Sequence, residues 1–250
     1  MKIIPCVQGD ATWVVERLGR PTASHFAELI TPATLKPSKQ SRGYRLQKLA
    51  EWGLNQPCES FKSGFTARGQ GLEAEAVAAY ERETLTAVQR VGLCLTDDEL
   101  VAASPDGLIG ESGGMEVKIL SAENHLERLL SPPDMNEHKA QINGNMFVCE
   151  RKWWIRWYWH PKFPGLAVRF ERDETYIDAI KRALYDENDG FLVLLEQDKQ
   201  RLMELGFNPT PTCQCMTENG VCGSREGVTD VDGIWLCDQC KAAMAQVFGG

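Results

Sequence analysis

The pattern of apolar and polar positions changes period twice along the chain. Helical spacing of apolar residues predicts helices over 10–18, from residue 22 or 24 to 29, over 44–54, and in the run that begins at Gly71. Between residues 88 and 173, short β-prone runs separated by Gly- and Asp-rich turns predict a sheet, with one helix at 138–149 packed against it. Helical spacing then returns and continues to about residue 207. This order of elements predicts an α/β fold with a mixed central sheet flanked by helices.

Charge is distributed unevenly along the chain. The formal net charge is −8, which on its own argues against a polyanionic partner such as nucleic acid. The first 50 residues depart from this balance, with eight basic and three acidic side chains. Five of these basic residues recur at every third position and form what we call the basic stripe: Lys36, Lys39, Arg42, Arg45 and Lys48. Such a stripe is either a solvated helix face or a surface that follows phosphates.

The sequence carries no sign of membrane insertion or export. No apolar run approaches the ~20 residues of a spanning helix, and the start MKIIPCVQGDATW lacks the apolar core of a signal peptide. We therefore expect a cytoplasmic protein without a membrane partner. In that compartment the nine cysteines are expected to be reduced thiols or metal ligands rather than disulfides.

Asp106, Glu116 and Lys118 form the most informative polar group. Asp106 lies in an S-P-D-G turn, and nine residues separate it from Glu116, the first residue of an E-V-K triplet. Two carboxylates on adjacent strands of a hairpin can bind Mg²⁺ or Mn²⁺, with the Val117 carbonyl as a further candidate ligand. Because strand faces alternate, Lys118 lies on the Glu116 side, where it can orient or deprotonate a metal-bound water. The alternative is a surface Glu–Lys pair of little energetic value.

These motifs resemble those of the PD-(D/E)xK nucleases, and specifically of the phage lambda exonuclease-type (alkaline exonuclease) viral recombinases. Four further motifs fall in the family's order: R-L-G-R-P-T-A-S at 17–24, R-G-Q-G-L-E at 68–73, A-Q-I-N-G-N-M at 140–146 and E-R-D-E at 171–174. The resemblance spans residues 10–205. It implies a restriction-endonuclease-like core for the sheet and its flanking helices.

The resemblance also implies a role for each matching residue. Glu73 is similar to an additional metal-site carboxylate beside Asp106 and Glu116, and Lys118 to the catalytic lysine. Gln141 stands where the family has a glutamine near the scissile phosphate and the attacking water. The family's pocket for a terminal 5′-phosphate corresponds to Arg17, Ser24 and Ser104.

Several of these residues also have simpler interpretations. Glu73 and Gln141 can be ordinary polar residues of helices, Ser24 can cap a helix, and Ser104 can be a turn residue. Asn143 stands where a related phage enzyme has a second glutamine, so this chain departs from the family pattern next to Gln141.

On this resemblance, the predicted activity is 5′-to-3′ digestion of one strand of linear duplex DNA, which leaves a 3′ single strand for recombination. The implied cofactor is Mg²⁺ or Mn²⁺, the substrate is a DNA end, the assembly is a homotrimeric ring, and the partner is a single-strand annealing protein in a phage-infected or lysogenic host. One alternative is an endonuclease or DNA-repair nuclease with the same core. The other is a non-catalytic zinc-ribbon DNA-binding protein, against which the intact Asp106, Glu116 and Lys118 argue.

The last 43 residues differ from the rest of the chain in their cysteine content. A Pro-Thr repeat at 209–212 predicts a boundary between a nuclease domain at 1–207 and a tail at 208–250. Paired thiolates there predict a structural zinc site, a ribbon-like appendage whose ligands are Cys215, Cys222, Cys237 and Cys240. Cys213 is an alternate ligand, and an iron–sulfur cluster remains a lesser possibility. The four cysteines outside the tail are predicted to be buried small hydrophobic residues.

Four tryptophans in the predicted strand at 153–159 suggest base stacking, but core packing explains them better. Strand alternation places Trp153, Trp157 and Trp159 on one face and Trp154 on the other, where each face meets helices. No site role is assigned to them.

Overall fold

The computed structural model describes residues 1–58, 67–131, 134–209, 216–217, 220–221, 229–231 and 234–241. A short strand begins the chain, five helical segments follow it, and groups of strands then alternate with pairs of helices. In chain order the elements are β1 (Lys2–Ile4), α1 (Ala11–Arg17), a 3₁₀ helix (Ala23–His25), α2 (Phe26–Leu29), α3 (Ser41–Leu54), α4 (Ala67–Thr84), β2 (Leu93–Leu95), β3 (Ala102–Ala103), β4 (Gly107–Ile109), β5 (Gly113–Ile119), α5 (Ala122–Leu130), α6 (Lys139–Val148), β6 (Trp153–Trp159), β7 (Leu166–Glu171), α7 (Glu174–Tyr185), α8 (Phe191–Glu204), β8 (Met216–Thr217), β9 (Gly220–Val221), β10 (Thr229–Val231) and β11 (Ile234–Leu236). Within these ranges, no helix is both long and apolar enough to cross a membrane.

The central sheet has four strands in the order β4-β5-β6-β7. β5 and β6 are parallel, whereas the outer pairs β4–β5 and β6–β7 are antiparallel. The parallel step requires a crossover, and α5 and α6 provide it. A smaller antiparallel sheet has the order β1-β2-β3. The predicted α/β class, with a mixed sheet flanked by helices, is confirmed.

The tryptophan-rich strand β6 separates two apolar clusters. Trp154 is fully buried in the larger cluster, with residues of α6, α7 and α8. Trp157 and Trp159 point to the other face and pack with Ala76 and Tyr80 of α4. The strand alternation predicted from the sequence is therefore confirmed, and these rings serve the core.

Two predicted helices are divided in the structure. The segment that was expected to run as one helix to residue 29 is a 3₁₀ turn followed by α2. Ser24 lies inside that turn, and Thr22 at its start makes no side-chain capping bond, so the interpretation of Ser24 as a helix cap is wrong. The helical run after Asp173 is divided into α7 and α8 because the close backbone approach of Gly190 to Asp186 makes a tight corner between them.

The basic stripe is not a continuous surface. Lys48 is buried and forms an ion pair with Glu51 at 2.9 Å. Arg45 pairs through Nε with Asp198 of α8 at 2.7 Å, because α3 packs against that helix. Only the three members that remain exposed, Lys36, Lys39 and Arg42, are available to a phosphate backbone.

The cysteines outside the tail do not share one environment. Cys94 and Cys149 are fully buried, as predicted for small hydrophobic residues. Cys58 is exposed and Cys6 is partly exposed, so the prediction is wrong for Cys58. Cys58 lies four residues after the end of α3, and its thiol lies 3.7 Å from the Gln47 carbonyl oxygen.

Candidate active site

The β4–β5 hairpin fixes Asp106 against the strand that carries Glu116. Asp106 directly precedes β4, and its backbone N–H donates to the carbonyl oxygen of Met115 at 3.2 Å. Its carboxylate oxygen Oδ2 accepts a hydrogen bond from the backbone N–H of Val117 at 2.6 Å. The two carboxylates are therefore neighbours, as the spacing between the S-P-D-G turn and the E-V-K triplet predicts. The Val117 side chain points to the opposite layer, where it is buried against α4.

The Glu116 carboxylate is the centre of a cluster of hydrogen bonds. It is 7% exposed. Lys118 Nζ and Gln141 Nε2 each donate to Glu116 Oε1 at 2.9 Å. Asn145 Nδ2 donates to Oε2 at 3.5 Å. Because Gln141 and Asn145 are one turn apart on α6, both amides face the sheet, and α6 supplies polar partners to the strand.

Burial and like charges determine the proton affinities of this cluster. Burial raises the pKa of the Asp106 carboxyl well above its usual range, and the charges of Glu116 and Glu73 raise it further. For Lys118, burial acts to lower the pKa, but attraction to Glu116 and Asp106 outweighs it, so the pKa is raised. The cluster thus concentrates negative charge in a buried place, and Lys118 retains its proton there.

Glu73 approaches the same place from α4. Its side chain is half-buried and forms an ion pair with Arg90. It lines one cavity together with Asp106 and Glu116. The position differs from that of a solvent-facing helical glutamate, the simpler interpretation of this residue.

This cavity has a volume of about 350 Å³ and also contains the predicted phosphate-binding residues. Arg17 Nη1 donates to Ser104 Oγ at 2.8 Å. Ser24 lies in the 3₁₀ turn, with its Oγ 3.2 Å from Thr22 Oγ1. The predicted site residues among its lining are Arg17, Ser24, Glu73, Ser104, Asp106, Glu116, Val117 and Gln141, and Lys118 joins them through Glu116.

The sequence interpretation did not select six further residues of the cavity lining, of which Gln8, Trp13 and Asn145 make the contacts that matter here. Asn145 could have been found from its i+4 spacing to Gln141, and Trp13 from its i−4 spacing to Arg17. Gln8 donates through Nε2 to the backbone of the S-P-D-G turn at 2.9 Å. No sequence pattern marks Gln8, because its partner lies 97 positions away.

Asn143, the departure from the family pattern, serves the fold rather than the cavity. Its Nδ2 donates to the carbonyl oxygen of Lys139 at 3.1 Å, and its Oδ1 accepts from the backbone N–H of Asp173 at 3.1 Å. It therefore ties α6 to the start of α7. Gln141 makes its contact with Glu116 independently of this substitution.

The donor set of the cavity fits a hard divalent cation. Carboxylate oxygens are the ligands that Mg²⁺ and Mn²⁺ prefer. The raised pKa of Asp106 reflects its burial and the charges of Glu116 and Glu73, and a bound cation would offset both. Across the described ranges, no three His, Cys, Asp or Glu side chains are grouped closely enough to hold a metal ion. At this cavity Glu73 forms an ion pair with Arg90, while Lys118 and Gln141 donate hydrogen bonds to Glu116.

Only two of the predicted zinc ligands lie in the described part of the chain. Cys237 and Cys240 are buried, and the Cys240 backbone N–H donates to Cys237 Sγ at 3.4 Å. They follow the antiparallel hairpin β10–β11. The other predicted ligands, Cys215 and Cys222 with the alternate Cys213, lie outside the described residues. The zinc site and the domain boundary at 207 stay predictions.

A carboxylate pair with a lysine, largely shielded from solvent at a hairpin of a mixed sheet, is typical of nucleases. The chain belongs to the YqaJ-like viral recombinase family, whose domain description matches residues 12–152. This membership confirms the resemblance to the lambda exonuclease-type enzymes. No curated protein matched the sequence.

Solved structures that are similar to this chain include the following three. An alkaline exonuclease from Laribacter hongkongensis, LHK-Exo, is 26% identical with a TM-score of 0.66. A second LHK-Exo structure, in complex with dAMP, gives 28% and 0.64, and both cover 78% of this chain and 96% of their own. A phage-related exonuclease from Haemophilus somnus 129PT, 11% identical over 74% of this chain and 96% of its own, shares the fold with a TM-score of 0.52. The family and the LHK-Exo structures support a nuclease.

Proposed function

We propose that the protein is a metal-dependent exonuclease that digests one strand of linear duplex DNA from its 5′ end and leaves a 3′ single strand for annealing. One observation carries this proposal: a single cavity is lined both by the Asp106–Glu116 carboxylates and by Arg17, Ser24 and Ser104. The residues that would cut and those that would hold a terminal phosphate thus line the same cavity. The complex of the similar LHK-Exo with dAMP, a nucleotide that carries a 5′-phosphate, agrees with such a cavity.

The acidic part of the cavity is suited to phosphodiester hydrolysis. Asp106, Glu116 and the Val117 carbonyl, with Glu73, would hold Mg²⁺ or Mn²⁺, which supplies charge neutralisation at the scissile phosphate. Lys118 keeps its proton at Nζ, so it donates to the water or to a phosphate oxygen and orients it. Gln141 holds Glu116 Oε1 and presents its amide at the edge of the same cavity.

The other part of the cavity is suited to a terminal phosphate. A guanidinium and two hydroxyls offer several donors to a dianion, whereas an internal phosphodiester has one negative charge and two ester bonds. Arg17 and Ser104 are already joined by a hydrogen bond of 2.8 Å, so this part is organised before a ligand arrives. The geometry therefore favours a DNA end over an internal position.

End-labelled linear duplex tests the activity and the polarity together. With Mg²⁺, a 5′ label should be released as mononucleotide while a 3′ label stays on long fragments, and EDTA should stop the reaction. Lys118→Met should lower kcat by about 10²- to 10⁴-fold, and Lys162→Met, at an exposed lysine away from the cavity, is the matched control. Cutting of covalently closed circular DNA would instead support the endonuclease alternative, and no digestion would refute catalysis.

The same proposal includes a homotrimeric ring, a single-strand annealing protein as partner, and action in the cytoplasm of a host cell. Its support is the family to which residues 12–152 belong. Sedimentation equilibrium of the purified protein should give three times the 28.0 kDa chain mass. A monomer over the whole concentration range would refute the ring.

We also propose a structural Zn²⁺ site in the tail, held by Cys215, Cys222, Cys237 and Cys240. The hydrogen bond from the Cys240 N–H to Cys237 Sγ supports it, because such bonds stabilise a thiolate in a C-x-x-C turn. Elemental analysis of the purified protein should give one zinc per chain, and Cys240→Ser should lose it. Iron with visible absorbance would instead identify an iron–sulfur cluster.

A further inference from the structure

Trp13 makes an unusual set of contacts at the phosphate-binding part of the cavity. Its indole Nε1 donates to Ser104 Oγ at 2.8 Å. Arg17 Nη1 donates to the same oxygen, also at 2.8 Å. The Arg17 guanidinium lies over the Trp13 ring, 4.2 Å from its centroid. Because Trp13 and Arg17 are one turn apart on α1, the helix delivers both N–H groups to one hydroxyl.

This arrangement determines what Ser104 can do. A serine hydroxyl has one proton and two lone pairs, and neither an indole N–H nor a guanidinium N–H can accept a hydrogen bond. With both lone pairs engaged, the hydroxyl can act toward a ligand only by donating its proton. Trp13, Arg17 and Ser104 all line the cavity, so this proton is available to an acceptor there.

Because Trp13 and Arg17 occupy both lone pairs of Ser104, this hydroxyl offers a ligand in the phosphate-binding part of the cavity only a hydrogen-bond donor. A terminal phosphate dianion presents only acceptor oxygens, whereas a 5′-hydroxyl presents both a donor and an acceptor without charge. Without the indole N–H, one Ser104 lone pair would be released, and the hydroxyl could rotate between donating and accepting. The pocket would then lose part of its organisation for the dianion.

We propose that Trp13 is a positioning residue that fixes Ser104 as a hydrogen-bond donor and so determines the preference for a 5′-phosphate. The inference rests on the proposed end-binding function and adds a residue that acts through Ser104. Trp13 also packs with Leu93, Leu95 and Ala102, so removal of the whole ring would disturb the core. Trp13→Phe keeps an aromatic ring and removes the N–H.

A matched control exists on β6. Trp153 Nε1 also donates to a serine hydroxyl, Ser112 Oγ at 3.2 Å, but neither residue lines the cavity. Trp153→Phe removes the same kind of hydrogen bond elsewhere in the molecule. Thermal unfolding of both variants reports whether each is folded before rates are compared.

The experiment measures kcat/KM on 5′-phosphorylated and on 5′-hydroxyl linear duplex with Mg²⁺. We expect Trp13→Phe to lower the phosphate-to-hydroxyl ratio about tenfold, mainly through KM on the phosphorylated duplex. Trp153→Phe should keep the parental ratio. In a Ser104→Ala background, Trp13→Phe should change the ratio no further, because the hydroxyl it orients is gone.

The outcomes separate this inference from the proposed function. A parental ratio in Trp13→Phe, with a lowered ratio in Ser104→Ala, overturns the role of Trp13 and leaves the exonuclease intact. Equal parental rates on both duplexes also overturn it. If the parent digests no DNA, the proposed function fails, and calorimetric titration with dAMP against deoxyadenosine decides the inference. Weaker dAMP binding by Trp13→Phe than by Trp153→Phe supports it, and equal binding overturns it.

Discussion

Asp106→Asn should stabilise the metal-free protein at neutral pH while it abolishes digestion of DNA. Asp106 is partly buried, and burial is the largest cause of its raised pKa, followed by the charges of Glu116 and Glu73. The hydrogen bond from Val117 and the charge of Lys118 act in the opposite direction and do not compensate. The ionised carboxylate is therefore held at a cost in folding free energy, which a neutral side chain of the same shape removes.

The sign and size of the effect follow from proton linkage. Because the folded-state pKa of Asp106 stands above the ~3.9 of an unfolded chain, the folded protein binds the proton more tightly. Its contribution to stability is fully present below the unfolded pKa and is lost as pH rises through the folded pKa. Each unit of difference corresponds to about 1.4 kcal/mol. Asparagine still accepts from Val117 N–H but loses about 1 kcal/mol of charge-assisted bonding. Because the pKa of Asp106 stands well above its usual range, the cost that asparagine removes exceeds this loss, and we expect a net gain in stability.

Urea unfolding in EDTA at several pH values between 5 and 8 measures this effect. The free energy of unfolding of the parent should fall as pH rises, and the Asp106→Asn curve should be flatter and higher near pH 7.5. Mg²⁺ should stabilise the parent more than the variant. Asp178→Asn, on an exposed position of α7, is the matched control. A variant less stable than the parent at pH 7.5, or a pH dependence parallel to that of the parent, would refute the reasoning.

Four further substitutions test the packing, the DNA surface and the site. Gly114→Ala should lower the free energy of unfolding by about 1–3 kcal/mol, because its Cβ would overlap the buried ring of Trp154. Gly43→Ala, in open space on α3, should raise it by about 0.5–1 kcal/mol. A urea midpoint equal to that of the parent in both variants would contradict both predictions. Arg42→Glu should weaken duplex binding and flatten its salt dependence in anisotropy titrations, and an unchanged slope would remove this residue from the DNA surface. Asn145→Ala should lower kcat about tenfold, since Glu116 Oε2 loses its amide donor. An unchanged initial rate would mean that, of Gln141 and Asn145, the Gln141 amide alone serves the activity.

The local parts of the site could be predicted from the sequence because they depend on short-range geometry. Nine residues between Asp106 and Glu116 suit a tight hairpin, and strand alternation places Lys118 on the Glu116 side, where it donates to that carboxylate. The confirmed family resemblance added Gln141, whose contact with Glu116 joins a helix to a strand 25 positions earlier. No periodicity in either element contains that information.

Tertiary packing decided the features that the sequence did not predict correctly. Basic residues do recur at every third position, yet Arg45 forms an ion pair with Asp198, 153 positions away. Which face of α3 meets α8 is set by the fold, so a charge pattern alone cannot distinguish a DNA surface from an internal ion pair. The same argument applies to Asn143. Its partner Asp173 caps α7, and the strands β6 and β7 separate the two residues along the chain.

The glycine pair at the start of β5 connects the tryptophan-rich core to the candidate active site. A Cβ atom at Gly113 would overlap the ring of Trp153, and one at Gly114 the ring of Trp154, so the two rings of β6 lie directly over these glycines. That contact favours the observed parallel register of β5 and β6, because a shift by one residue would set one of the two rings against the side chain of Ser112 or Met115. In this register Glu116 stands two residues beyond Gly114 on the same face, turned toward α6 and its amides. The tryptophans therefore take no part in chemistry, but their packing determines where the carboxylate of the site lies.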